Sequence, residues 1–157
     1  MEDLERTIAR HALAPLPVEG GWFRRTATSA ATGPEGRPAW SEILYLMSPE
    51  GFSALHALAT TETWTHLEGA AAEMLLLGPG GAGRLVTLGP GGEPGVRVEP
   101  GVWQGTRTLG AWTLCRCRVE PAWQEGDFTL GPGDVLAAAH PAWADAIRAR
   151  VRGPAGD

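Results

Sequence analysis

His56 and Glu62 bring together the two residue types that most readily move protons near neutral pH, an imidazole and a carboxylate, within one short stretch of chain. Histidine titrates in the physiological range, and a neighbouring carboxylate can orient it for general acid or base work. The alternative is a histidine kept only for hydrogen bonding inside a polar barrel. Glu62 argues for a polar pocket on either reading, because a bare carboxylate in a folded core is costly. Trp64 shares the strand face of Glu62, since side chains two apart in a strand point the same way. Trp64 and Trp103 are candidate platforms for a sugar ring or an aromatic ligand, or else core-filling aromatics. His66 continues the face of Glu62 and Trp64, but four residues at about 3.3 Å each set it roughly 13 Å from Glu62. It is therefore expected to line another part of the pocket.

These side chains need a scaffold of short strands. From Trp22 to Leu130 the sequence runs in short apolar or alternating segments, including Ile43–Met47, Ser53–Leu58, Thr63–Leu67, Glu73–Leu77, Trp103–Thr106 and Trp112–Val119. Clusters such as Gly78-Pro79-Gly80-Gly81 and Gly89-Pro90-Gly91-Gly92 separate them, combining the free φ of glycine with the fixed φ of proline. Before them, residues 2–13 place Leu4, Ile8 and His11/Ala12 on one helical face, and Pro15 and Pro17 stop the run. After Gly131-Pro132-Gly133, residues 134–150 are Ala-rich with Val135, Leu136, Trp143 and Ile147 as apolar positions, which predicts a closing helix interrupted near Pro141. Cys115 and Cys117 fall on one face of a strand and read as reduced, buried thiols, with Arg116 and Arg118 on the solvated side.

The 157 residues suit one domain with one principal pocket. An apolar share of 43% is that of a globular protein, and 22 glycines with 13 prolines favour many short elements over long helices. A net charge of −5 with no basic run excludes a phosphate-backbone or anionic-membrane surface. The acidic start Met1-Glu2-Asp3-Leu4-Glu5-Arg6 lacks the apolar stretch of a secretory signal, and no window reaches a membrane span, so a cytoplasmic protein is expected.

Three segments carry a resemblance to a known family. Pro17-Val18-Glu19-Gly20-Gly21-Trp22-Phe23-Arg24-Arg25-Thr26 is similar to an N-terminal signature of Pro, Glu-Gly-Gly, an aromatic, Phe and Arg. Ser53-Ala54-Leu55-His56, Glu62-Thr63-Trp64 and Gly69 form the second. The third runs from Val98 through Gly101-Val102-Trp103-Gln104 to Pro121-Ala122-Trp123 and Asp127-Phe128-Thr129-Leu130. Together they resemble a cupin family catalogued as a domain of unknown function and related to the RmlC-like epimerase barrels. The resemblance implies a jelly-roll barrel, commonly a homodimer, with no reaction assigned to the family as a group. It also implies that Gln104 faces His56 and orients a substrate hydroxyl, or else is a satisfied core amide, and that Arg24 reaches an anionic ligand group or ties down a dimer interface. Ala57, Thr65 and Glu125 replace residues usual in the family, which leaves the identity of the ligand open.

The resemblance also frames the question of a metal. The general first motif is Gly, five residues, His-x-His, three or four residues, Glu, six residues, Gly. Here Gly51 lies one residue too near, Leu58 replaces the second His, and His56, Glu62 and Gly69 fit. In the second motif, Glu99-Pro100-Gly101-Val102-Trp103-Gln104, Gln104 stands where a third imidazole would be. His56, Glu62 and Gln104 would offer one imidazole, one carboxylate and a neutral amide, a poor set for a first-row metal. No cofactor is expected beyond a weakly held divalent metal.

The expectation is an all-β cupin (RmlC-like) jelly-roll barrel over about residues 18–131, with a short N-terminal helix and a C-terminal helix over about 134–151, the whole of 1–157 forming one domain. It is expected to be a homodimer that binds a small polar ligand, a sugar or sugar derivative, with no nucleic-acid or membrane partner. The leading mechanism is metal-independent isomerase or epimerase-like proton transfer by His56 with Glu62. The alternatives are a metal-dependent cupin enzyme and a non-catalytic binding or sensing module.

Overall fold

The alternating segments become strands because each has one face to bury, and the Gly/Pro turns let the chain reverse between them. A computed structural model describes residues 2–152. In chain order the elements are α1 (Leu4–Arg10), β1 (Ala14–Pro15), β2 (Trp22–Thr28), β3 (Ser41–Met47), β4 (Ser53–Leu58), β5 (Thr61–Gly69), β6 (Ala72–Leu77), β7 (Gly83–Leu88), β8 (Gly95–Val98), β9 (Trp103–Thr108), β10 (Thr113–Glu120), β11 (Phe128–Leu130), α2 (Gly133–Ala139) and α3 (Ala144–Arg148). A six-stranded sheet in the order β1-β2-β3-β10-β5-β8 faces a five-stranded sheet in the order β11-β4-β9-β6-β7, and the pairings are antiparallel. The fold is an all-β jelly roll, as expected.

Three apolar clusters hold the layers together. Between the sheets, Tyr45, Met47, Trp64, Met74, Leu76, Leu88, Cys115 and Cys117 form the inner core. Burial pushes the Cys115 thiol up to about 12, which keeps it protonated and inert. Outside the six-stranded sheet, α1 lays Leu4 and Ile8 on Leu13, Leu46, Trp112 and Leu114. A helix of 7 residues has little stability of its own, so this apolar face and the Asp3 cap, whose side chain accepts from the Arg6 amide, account for it. Outside the five-stranded sheet, Leu136 of α2 and Ile147 of α3 pack on Leu55, Leu75 and Leu77.

The predicted closing helix is two short helices with a 3-10 turn at Pro141–Trp143 between them, because Pro141 cannot supply a helical amide. Among the described residues no helix is long and apolar enough to cross a membrane.

Arg150 stitches the closing segment to the sheet. Its guanidinium is buried and donates to the Gly105, Ala146 and Glu73 carbonyls and to Glu73 Oε1, at 2.8–3.0 Å. Replacing Arg150 by Met is expected to strand those acceptors and destabilise the fold by about 3 kcal/mol in urea unfolding. A loss below about 1 kcal/mol would mean that water satisfies them as well as the guanidinium does.

Candidate functional site

The inner core does not fill the whole space between the sheets. A cavity of about 480 Å³ remains, bounded by β2, β3, β10 and β5 on one side, β4 and β11 on the other, and the chain at residues 16–19. Its walls are largely apolar and aromatic, with Phe23, Tyr45, Trp64, Trp123 and Phe128 among them. Its acidic groups are Glu19, Glu62 and Glu125, and its nitrogen bases are His56 and Arg25.

Strand alternation delivers His56 and Glu62 to this space from opposite sheets, His56 from β4 and Glu62 from β5. The His56 side chain is almost fully buried and its ring stacks on Phe128 at 5.0 Å between centroids. Its Nδ1 lies 2.7 Å from the Ala54 carbonyl oxygen. A carbonyl only accepts, so Nδ1 carries the hydrogen and Nε2 is left toward the cavity with its lone pair free in the neutral ring. Among the described residues Nε2 has no hydrogen-bond partner, and its nearest charged neighbour is Glu19 Oε1 at 3.9 Å.

Glu62 is held by a chain of hydrogen bonds that crosses between the sheets. Trp64 Nε1 donates to Gln104 Oε1 at 3.0 Å, and Gln104 Nε2 donates to Glu62 Oε1 at 2.9 Å. Burial pushes the Glu62 carboxyl up to about 7; charge on His56 pulls it down, charge on Glu19 adds to the rise, and the Gln104 amide opposes it.

Glu19 was not singled out in the sequence, where it lies in a loop without periodicity. The following Gly20 and Gly21 explain its placement. Both adopt positive φ, 99° and 76°, and a side chain on Gly20 would meet the Phe52 carbonyl at 2.7 Å. The Glu19 carbonyl accepts from Ala54 N and from Arg152, and its Oε2 accepts from the Ser53 hydroxyl at 2.8 Å. Tyr45 donates to the Gly20 carbonyl at 2.6 Å. The Glu-Gly-Gly motif is thus a device that turns a carboxylate toward His56.

Of the residues expected at the site, His56, Glu62 and Trp64 line the cavity, and four others lie elsewhere. Gln104 sits behind the wall, both ends of its amide spent on Trp64 and Glu62. Trp103 is on the outer face of β9, against the cluster covered by α2 and α3, because that face is also apolar. His66 lies beyond the cavity near the end of β5, its Nε2 beside the Gly69 and Ala70 carbonyls, where a register shift interrupts pairing with β10. Arg24 pairs in register with outward-facing Leu44 and donates to the His11 carbonyl at 2.7 Å, so Arg25 is the arginine that reaches the cavity.

The conjectured metal set of His56, Glu62 and Gln104 fares poorly on the same geometry. Gln104 has no free end to offer, Leu58 supplies no donor, and among the described residues no group of three or more His, Cys, Asp or Glu side chains is placed to hold a metal ion. The residues present do not fit a cupin metal centre.

The raised Glu62 carboxyl links stability to pH. The folded state keeps this proton up to about pH 7 while the unfolded chain releases it near 4.5, so stability is full below 4.5 and is lost as pH rises through 7. Glu62→Gln, which keeps the shape and removes the charge, is expected to be more stable than the parent at pH 8 by on the order of 3 kcal/mol and nearly equal to it at pH 4. Denaturant unfolding at the two pH values checks this; a variant less stable at pH 8 would show that the ionised carboxylate is favourable where it sits.

The profile described as Cupin superfamily (DUF985) matches residues 5–131. A solved protein from Shewanella oneidensis superposes with a TM-score of 0.89 at 26% identity, covering 98% of this chain and 100% of that one. A hypothetical protein from Leishmania major gives 0.85 at 25% identity, covering 97% and 100%. A cupin 2 domain-containing protein from Halorhodospira halophila gives 0.61 at 20% identity, covering 87% and 86%, a likeness of fold alone. No curated protein matches the chain. With a jelly roll whose cavity carries the motif histidine and glutamate, and a family match over most of its length, the chain belongs to the Cupin superfamily (DUF985).

Proposed function

We propose that this cupin binds a small ring-bearing polar molecule, such as a sugar derivative, in the barrel cavity and transfers a proton at a carbon beside its carbonyl group. The observation that carries this reading is the state of His56: Nδ1–H is committed to Ala54, which leaves Nε2 as a base in a cavity walled by Trp64, Tyr45 and Phe128. Nε2 takes the proton, the C–H electron pair moves into the enolate, and the His56 imidazolium, held by the charges of Glu19 and Glu62, returns a proton to the carbon. Before it returns, the imidazolium proton exchanges with solvent.

Native mass spectrometry of the purified protein would identify a bound compound. His56→Ala is expected to weaken its binding by about 1.5–3 kcal/mol, roughly ten- to hundredfold, with the fold retained. Solvent deuterium entering the bound compound in the parent, and not in His56→Ala, marks the catalytic reading. Binding without exchange would make the protein a non-catalytic binding module, and unchanged affinity in the variant would remove His56 from the site.

We also propose a homodimer. The two-residue β1 pairs only with Trp22 and Phe23 of β2, which leaves the edge of β2 from Arg24 to Thr28 open for a second copy. Light scattering at micromolar concentration should return twice the chain mass; a strictly monomeric particle would contradict the proposal.

A further inference from the structure

The inner end of the cavity has an unbalanced charge. Glu62 is 7% exposed and Glu19 has a side chain only 13% exposed, yet neither forms an ion pair with an arginine among the described residues. Glu62 leans on the neutral Gln104 amide and Glu19 on the Ser53 hydroxyl. The chain contains no lysine, Arg24 turns away, and Arg25, the arginine that lines the cavity, is exposed, as is Glu125. His56 is the one inner base, and a single imidazolium cannot balance two carboxylates. Its Nε2 also stops short of hydrogen-bond distance from Glu19, at 3.9 Å.

Desolvated carboxylates without a partner are costly, and the walls around these offer aromatic faces from Phe23, Tyr45, Trp64, Trp123 and Phe128, surfaces that attract cations. We infer that the natural ligand carries a cationic amine, whose ammonium group lies between Glu19 and Glu62 while its ring or apolar body packs on the aromatic wall. The inference rests on the cavity being the ligand site and goes beyond it in naming the ligand's charge. The ammonium donates to Glu19 Oε1 and to the Glu62 carboxylate, so binding favours ionised Glu62 and releases its proton near neutral pH. The other titratable groups lining the inner cavity are His56 of β4, Tyr45 of β3 and Cys117 of β10. Burial holds both the phenol and the thiol well above their ordinary ranges, so neither ionises in competition.

The test is a charge-matched series, benzylamine, benzyl alcohol and benzoate, titrated against the full chain at pH 8 and pH 6 and read by tryptophan fluorescence, since Trp64 and Trp123 line the cavity. Benzylamine is expected to bind best, by about tenfold or more over the alcohol, and to weaken by up to about tenfold per pH unit below 7 as Glu62 takes up its proton. Glu62→Gln and, independently, the more exposed Glu19→Gln should each remove about tenfold of the benzylamine affinity while leaving benzyl alcohol unchanged. Equal or tighter binding of benzoate or benzyl alcohol overturns the cationic assignment and leaves the cavity as the ligand site. Failure of all three to bind overturns the assignment and counts against the cavity reading as well.

Discussion

A carboxylate buried between two β-sheets constrains everything around it. Glu62 and Trp64 stand on one sheet and Gln104 on the other, and the hydrogen bonds Trp64 to Gln104 to Glu62 tie the sheets together where apolar packing stops. A neutral amide can accept from an indole and donate to a carboxylate at once. An imidazole at residue 104 could make the same two contacts only through its two ring nitrogens, and it would lose the planar fork that the amide presents. Gln104, at the residue where the resemblance to the general cupin motif would place a histidine, is here a structural bridge that fixes Glu62.

The apolar layers make that arrangement affordable. The inner cluster around Met74, Leu88 and Cys115 closes one end of the barrel, while α1 and the α2–α3 pair seal the outer faces of the two sheets. The cavity is thereby left at the end governed by residues 16–21, where Val18 adopts a positive φ of 69° that a β-branched residue rarely takes. Glu19 and His56 meet because this strained turn and the start of β4 are held together by Ala54, Ser53 and Arg152. Site and scaffold share these contacts.

Much of this was legible in the sequence. Strand alternation predicts that Glu62 and Trp64 share a face, that Cys115 and Cys117 turn inward, and that the Gly/Pro clusters are turns, because these follow from local geometry. Trp103 misled because the outer face of β9 is covered by α2 and α3 at that end of the strand, so an apolar side chain there does not report which way is in. The choice between Arg24 and Arg25 was decidable by counting from Phe23, whose inward face Arg25 shares in register with Ile43. His66 keeps the face of Trp64, pairing with Cys115 as Trp64 pairs with Cys117, and lies beyond the cavity through distance along β5, whereas Glu19 is placed by a turn whose meaning lies in the φ values of Gly20 and Gly21.

The protonation state of Glu62 underlies the chemistry of the cavity. A carbon-13 NMR titration of its side-chain carboxyl in the folded protein, assigned by comparison with Glu62→Gln, measures that state without reference to stability or ligand. A midpoint at about 7 is expected, set by burial against the Gln104 bridge. A midpoint near the ordinary 4.5 would contradict it, since the carboxyl would then be hydrated and free of the constraint from which the cavity's chemistry has been derived.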